Sequence, residues 1–170
     1  MPQTPAWIVK DTTVVLGGEN QIGQMQQLTL PVAAKTTEEI RAAGMVKPRL
    51  VTMGYEATSF SIEMNSFDPD VLILFGAGPH DVIARGYMES EDGSEHAARV
   101  EMELEFTNMS PGDWATASKA SLTTEATVHA YTLFIEDNGQ EREIWHMSDT
   151  EVRIGGVLQQ PGRRRALGLV

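Results

Sequence analysis

The chain contains no cysteine, which removes disulfides, thiolate metal ligands and cysteine nucleophiles together and makes a reducing compartment the simplest setting for its production. Aromatic residues make up only 6% of the sequence, so an interior has to rest on Val, Ile, Leu, Met and Ala. No stretch approaches the roughly 18 apolar residues of a membrane-spanning helix. The opening residues MPQTPAWIVKDTTVV also lack a basic segment followed by an unbroken apolar one, so a soluble, unprocessed chain without membrane insertion is expected. Positive charge is scarce as well. The chain has 13 Lys and Arg against 24 Asp and Glu, a net −11, which argues against a partner held through its phosphates.

What is present is enough for one compact core: 170 residues with 41% hydrophobic content, no internal repeat and no linker, so residues 1–170 are expected to form a single domain. The run Trp7–Leu16 is rich in β-branched residues and stops at Gly17-Gly18, which predicts a strand and a turn. Met25–Val32 predicts a second strand, with Pro31 confining it to an edge or a terminus. Thr36–Met53 sustains neither period. It opens with a helix-like TTEEIRAA, is broken by Gly44 and Pro48, and reads as a long excursion from the core.

Ala57–Met64 alternates with Phe60, Ile62 and Met64 on one face, as a half-buried strand requires. Asp68-Pro69 followed by Asp70-VLILF-Gly76 predicts a short, mostly buried helix with Asp68 as its N-cap. Two hairpins come next. Asp81–Glu89 and Glu95–Phe106 flank a turn holding Asp92-Gly93; Ser121–Glu136 and Glu141–Met147 flank Asp137-Asn138-Gly139. Between them Thr107–Lys119 is expected to be a loop or an irregular helix. After a possible strand at Glu151–Ile154, the C-terminal segment 151–170 turns rich in Gly, Gln and Arg, with Arg163, Arg164 and Arg165 together. The sum predicts a mainly β fold, a sandwich or small barrel with one short flanking helix. Its longest strands exceed what such a fold needs, so a larger sheet shared between subunits is expected.

No arrangement in the sequence carries catalysis. The histidines at 80, 96, 129 and 146 have no paired-ligand spacing, although His129 and His146 lie on two arms of one hairpin and could face each other. There is no nucleophile elbow, and the glycines at 17–18 and 76–78 lack the Lys-Ser/Thr of a phosphate loop. Catalytic residues, metals and cofactors are therefore not expected. One patterned feature remains. On the second strand of the first hairpin, Glu101, Glu103 and Glu105 share the face opposite Val100, Met102, Leu104 and Phe106, either as a solvated sheet face or as the wall of a water-filled space whose occupant is also negative.

The order of TTEEIRAAGM (Thr36–Met45), the strand ATSFSIEM, the helix-like DPDVLILFG, the acidic hairpin and a closing RRRALGL (Arg163–Leu169) resembles the major tail tube protein family of contractile-tailed phages and R-type tailocins. The likeness runs from about Leu28 to Leu169; residues 1–24 depart from it. It implies a structural, non-enzymatic virion protein made and assembled in the bacterial host cytoplasm. Hexameric rings would stack into a hollow inner tube, with long hairpins joining a ring-wide β-barrel around the lumen. The implied partners are other copies, the tail sheath, a baseplate or tube initiator and a tape-measure protein, with DNA passing through during ejection and not specifically bound. It further implies that residues 36–53 reach a neighbouring subunit or ring, with Glu38, Glu39, Arg41, Gly44 and Met45 at the contact, and makes Glu101, Glu103 and Glu105 candidates for the lumen. Two alternatives stand beside it: a type VI secretion tube subunit, which shares the implied fold, and a small β-barrel enzyme or ligand-binding protein with a pocket between its sheets.

Overall fold

The computed structural model describes residues 5–137 and 139–169. Ten strands form one sheet among the described residues: β1 (Trp7–Leu16), β2 (Glu19–Asn20), β3 (Met25–Thr29), β6 (Thr58–Met64), β7 (His80–Ser90), β8 (Glu95–Ser110), β9 (Leu122–Asp137), β10 (Gln140–Ser148), β11 (Val152–Ile154) and β12 (Val157–Leu158). The remaining two, β4 (Lys35–Ile40) and β5 (Arg49–Tyr55), pair only with each other. The helices are short: α1 (Pro69–Ile73), continued by a 3-10 turn at Leu74–Gly76, and α2 (Pro161–Ala166). The mainly β expectation holds.

The large sheet runs β2-β1-β7-β8-β9-β10-β11-β12, all antiparallel, and β9 changes partner along its free edge. Its first half, Leu122–Val128, pairs with β6, and its second half, Ala130–Asp137, pairs with β10. His129 is the extra residue at the change, a bulge opposite Glu103-Leu104. Beyond β6 lies β3, which ends at Thr29, two residues before the proline expected to stop it.

Alternation explains why the sheet curls around one core. Val100, Met102, Leu104 and Phe106 of β8 point inward, as do Leu122, Ala126 and Val128 of β9 and Phe60, Ile62 and Met64 of β6. Val14 and Leu16 of β1, at the other end of the strand order, belong to the same cluster, so the two ends of the sheet approach across a shared interior. That interior is filled by side chains. α1 covers it from one side with Val71 and Leu72, and the 3-10 turn that follows adds Leu74. Leu74 lies so near β1 that a Cβ at Gly17, itself at φ +59°, would sit 3.3 Å from its Cδ2. Glycine there serves both the turn and the close approach.

Several expectations need correction. TTEEIRAA is not helical: Lys35–Ile40 is strand, because Thr36, Thr37 and Ile40 suit an extended backbone and β5 supplies a partner. The α1 start is as expected, with the Asp68 carboxylate accepting from the Asp70 amide at 3.0 Å. Its burial is not: only Val71 is buried, while Ile73 is 69% and Phe75 53% exposed, because a five-residue helix lying on a sheet has one covered side. β8 runs on to Ser110, shortening the loop between the hairpins. The Arg-rich tail folds as α2, begun by Pro161 at its first turn. Asn138 of the second expected turn lies outside the described residues, and Gly139 beside it has φ +75°.

Candidate assembly surfaces

β4 and β5 form an arm. Their ladder runs from Lys35↔Tyr55 to Ile40↔Arg49, and the tip turns through Gly44 at φ +86°. Inside the tip the Met45 amide donates to the Ala42 carbonyl at 3.2 Å. Glu38, Glu39, Arg41 and Gly44 are exposed and Met45 is half-buried, so the five residues marked out by the resemblance gather on one element that leaves the core. A crevice of about 700 Å³ separates the arm's base from the end of β10 and α2; Lys35, Thr58, His129, Glu151, Arg163 and Arg164 are among its walls. An isolated two-stranded hairpin is marginal in water, and an arm of this kind invites a partner.

The outward face of β7, β8, β9 and β10 is the second surface. Glu101, Glu103 and Glu105 do share it, opposite the buried row of β8. They are not equivalent. Arg99 of β8 reaches over β9 to Glu141 of β10 with a bidentate pair, Nε to Oε1 and Nη2 to Oε2 both at 2.9 Å, and also bonds Glu101. Its guanidinium lies 4.4 Å from the Phe134 ring centroid. Glu105 has His129 at 3.7 Å, whereas Glu103 stands between Asp81 and Ala130 with no ion pair among the described residues. A second network follows on β10 and β11. Arg153 holds Glu143 through Nε and Nη2 at 3.1 Å each and bonds Glu151, which Arg164 of α2 meets at 3.1 Å.

The histidines are apart. His80 donates from Nε2 to the Leu74 carbonyl at 2.9 Å, and His96, buried at 7% exposure, is stacked under Trp7 at 3.9 Å with Asp137 3.2 Å from Nδ1. His146 does not face His129: Thr132 stands opposite it, with Thr132 Oγ1 2.8 Å from its Nδ1. Burial, ahead of the nearby Arg153 charge, holds His146 below its ordinary 6.5. Hydrogen bonds from Arg99 and Arg153 hold Glu141 and Glu143 below 4.5. All three act with one sign on acidification. The unfolded chain takes up these protons more readily than the folded one, so stability present above pH 6.5 falls as pH drops below it, and falls again below 4.5. The urea midpoint is expected to drop between about pH 7.5 and 5.5, and His146→Gln to flatten that drop. An unchanged pH profile in the variant would remove His146 from the account.

Two surfaces escaped the sequence reading. β1 pairs with β7 on one side, but on the other only Val15 and Leu16 have ladder partners among the described residues, leaving an open edge at 7–13 that carries the exposed Trp7, Ile8 and Val9. On the opposite side of the same sheet β11 covers β10 only at 145–147, so Gln140–Glu143 also lack an outer ladder partner among the described residues. Nothing in local sequence marks an edge. Near α1, Trp114 packs edge-on against Phe67 at 5.5 Å, both of them exposed.

The family model described as phage tail tube protein FII matches residues 6–168. The chain belongs to that family. As a tail tube protein it is a structural particle component. Among curated protein sequences none matches the chain. Among solved structures it is similar to a chain of the sheath-tube complex of PVC, an extracellular contractile injection system, in its extended state: 11% identity over 72% of this chain and 86% of that one, TM-score 0.52. It is similar also to Hcp1 from Salmonella typhimurium, at 12% identity over 84% of this chain and 95% of that one, TM-score 0.50. At such identities both likenesses speak to the fold alone. The family match favours the tail tube over the secretion-tube alternative.

Proposed function

We propose that this tail tube subunit, a single structural domain without catalytic or metal-binding residues, joins head to tail into closed rings, hexameric as the family resemblance implies, which stack into the hollow inner tube of a contractile tail. The observation that carries the reading is the pair of open edges on one sheet, β1 at residues 7–13 and β10 at 140–143. Unlike edges that pair between copies make a heterologous contact, which closes into a ring when the rotation permits, and closure removes the edges. The β7–β10 face would then line the lumen with Glu101, Glu103 and Glu105. Its carboxylates repel phosphate, so DNA travels without sticking. The arm at 36–53, with Glu38, Glu39, Arg41, Gly44 and Met45, reaches the next ring, and the sheath, a baseplate initiator and a tape-measure protein complete the particle assembled in the host cytoplasm.

The absence of native cysteine makes the edge pairing directly testable. Strands that pair bring Cα atoms within about 4.5–5.5 Å, inside the range a disulfide spans. Val9→Cys combined in turn with Gln140→Cys, Glu141→Cys, Arg142→Cys or Glu143→Cys is expected, in at least one register, to give an oxidised ladder of cross-linked copies on a non-reducing gel. Tubes visible by negative stain with no ladder in any register would reject this edge pairing, and protein that forms neither would reject the ring.

A further inference from the structure

We propose that the arm grips a second copy of this chain through its basic tip, residues 41–49, and that the surface it seats on is acidic. The inference rests on the arm's reading as an assembly element and adds the chemistry of the grip. Charge is divided unevenly along the chain. Residues 35–55 hold four cations, Lys35, Arg41, Lys47 and Arg49, against Glu38 and Glu39; taking this +2 from the total of −11 leaves −13 for the rest. Within the arm the division repeats, because the tip segment RAAGMVKPR has Arg41, Lys47 and Arg49 and no carboxylate, while both glutamates sit on the shaft in β4.

None of the arm's four cations makes an ion pair among the described residues, as is also true of Arg85, Lys119, Arg142, Arg163 and Arg165 of the body; Lys10, Arg99, Arg153 and Arg164 are paired. The three tip cations are free to meet a partner, whereas Lys35 at the arm's base lies 6.0 Å from the Tyr55 ring centroid. Apolar surface accompanies them: Val46 is 98% and Leu50 70% exposed. An exposed basic and apolar tip on a body of −13 is complementary to another copy of that body, and the same negative body disfavours a nucleic acid as the tip's partner. In this arrangement the shaft glutamates oppose the contact. The arm's charge therefore gives opposite signs to two sets of substitutions, and a contact built on Glu38 and Glu39 would exchange those signs.

Self-association of the whole purified chain, measured by sedimentation over a concentration series at low salt, tests the idea. Wild type is expected to associate and to weaken as salt rises from about 0.05 to 0.5 M, where screening shortens the range of charge interactions. The variant R41E/K47E/R49E should lose association by at least about tenfold, and E38K/E39K should match or exceed wild type. Unchanged circular dichroism and melting would show that both variants are folded. A tip-reversed variant that associates like wild type, an E38K/E39K variant that associates more weakly, or a wild type that stays monomeric at every attainable concentration would each overturn the proposal. A variant with residues 37–52 replaced by a short Gly-Ser turn separates the two readings. If it associates normally, the arm has no assembly role; if it fails while the tip-reversed variant succeeds, only the basic grip is wrong.

Discussion

Leu104→Ala is expected to destabilise the folded chain by about 3–5 kcal/mol, read as a lower urea midpoint with an unchanged denaturant slope. Leu104 is fully buried in the middle of β8, with a neighbouring strand on each side: His80 of β7 opposite it on one, Val128 of β9 on the other. Truncation removes its transfer free energy and leaves a cavity that cannot collapse, because Phe106, Phe60 and Ile62 in the same cluster are themselves fixed on paired strands. Against a total of about 5–15 kcal/mol typical of a domain, one such change takes a large share. A loss below about 1 kcal/mol would mean that this interior is not close-packed around β8.

Thr124→Val acts on the same core with the opposite sign. Thr124 is fully buried on β9, and its Oγ1 finds no hydrogen-bond partner among the described residues. Such a hydroxyl bears its desolvation cost uncompensated, whereas valine keeps the branched shape and contributes a methyl. The substitution is expected to stabilise by about 1 kcal/mol, seen as a melting temperature raised by a few degrees. Lower stability in the variant would show that the hydroxyl is in fact satisfied, by a bound water for instance. Made together, the two substitutions should be less than additive if Leu104→Ala loosens the core around residue 124.

How far the sequence disclosed this depended on whether each segment buries one face. β6 and the second strand of the first hairpin were legible because alternation there records contact with a core: Phe60, Ile62 and Met64, or Val100 through Phe106, have one environment on one side and water on the other. β1 was marked instead by its β-branched residues and the Gly17-Gly18 stop, and the hairpins by their turns. The arm buries neither face, so Lys35–Ile40 carries no alternation, and Glu38, Glu39, Ala42 and Ala43, good helix formers, point the wrong way. The carboxylate row was visible as spacing along one strand. What neutralises part of it was not, since Arg99 and Glu141 lie 42 residues apart and meet only through the register of β8, β9 and β10. The open edges are a property of which strand has no neighbour, which no local window contains.

The change of partner along β9 sets the order in which the molecule can be made. Thr58 pairs with Val128, and its hydroxyl donates to the Val128 carbonyl across 70 residues, so β6, which supplies three of the largest core side chains and can pair early only with β3, cannot join the main sheet until synthesis has passed β9. Closing so long a loop precedes any of the contacts that reward it. Folding is therefore a late event in the life of the nascent chain, and the arm, hung between β3 and β6, emerges well before the body that anchors it exists.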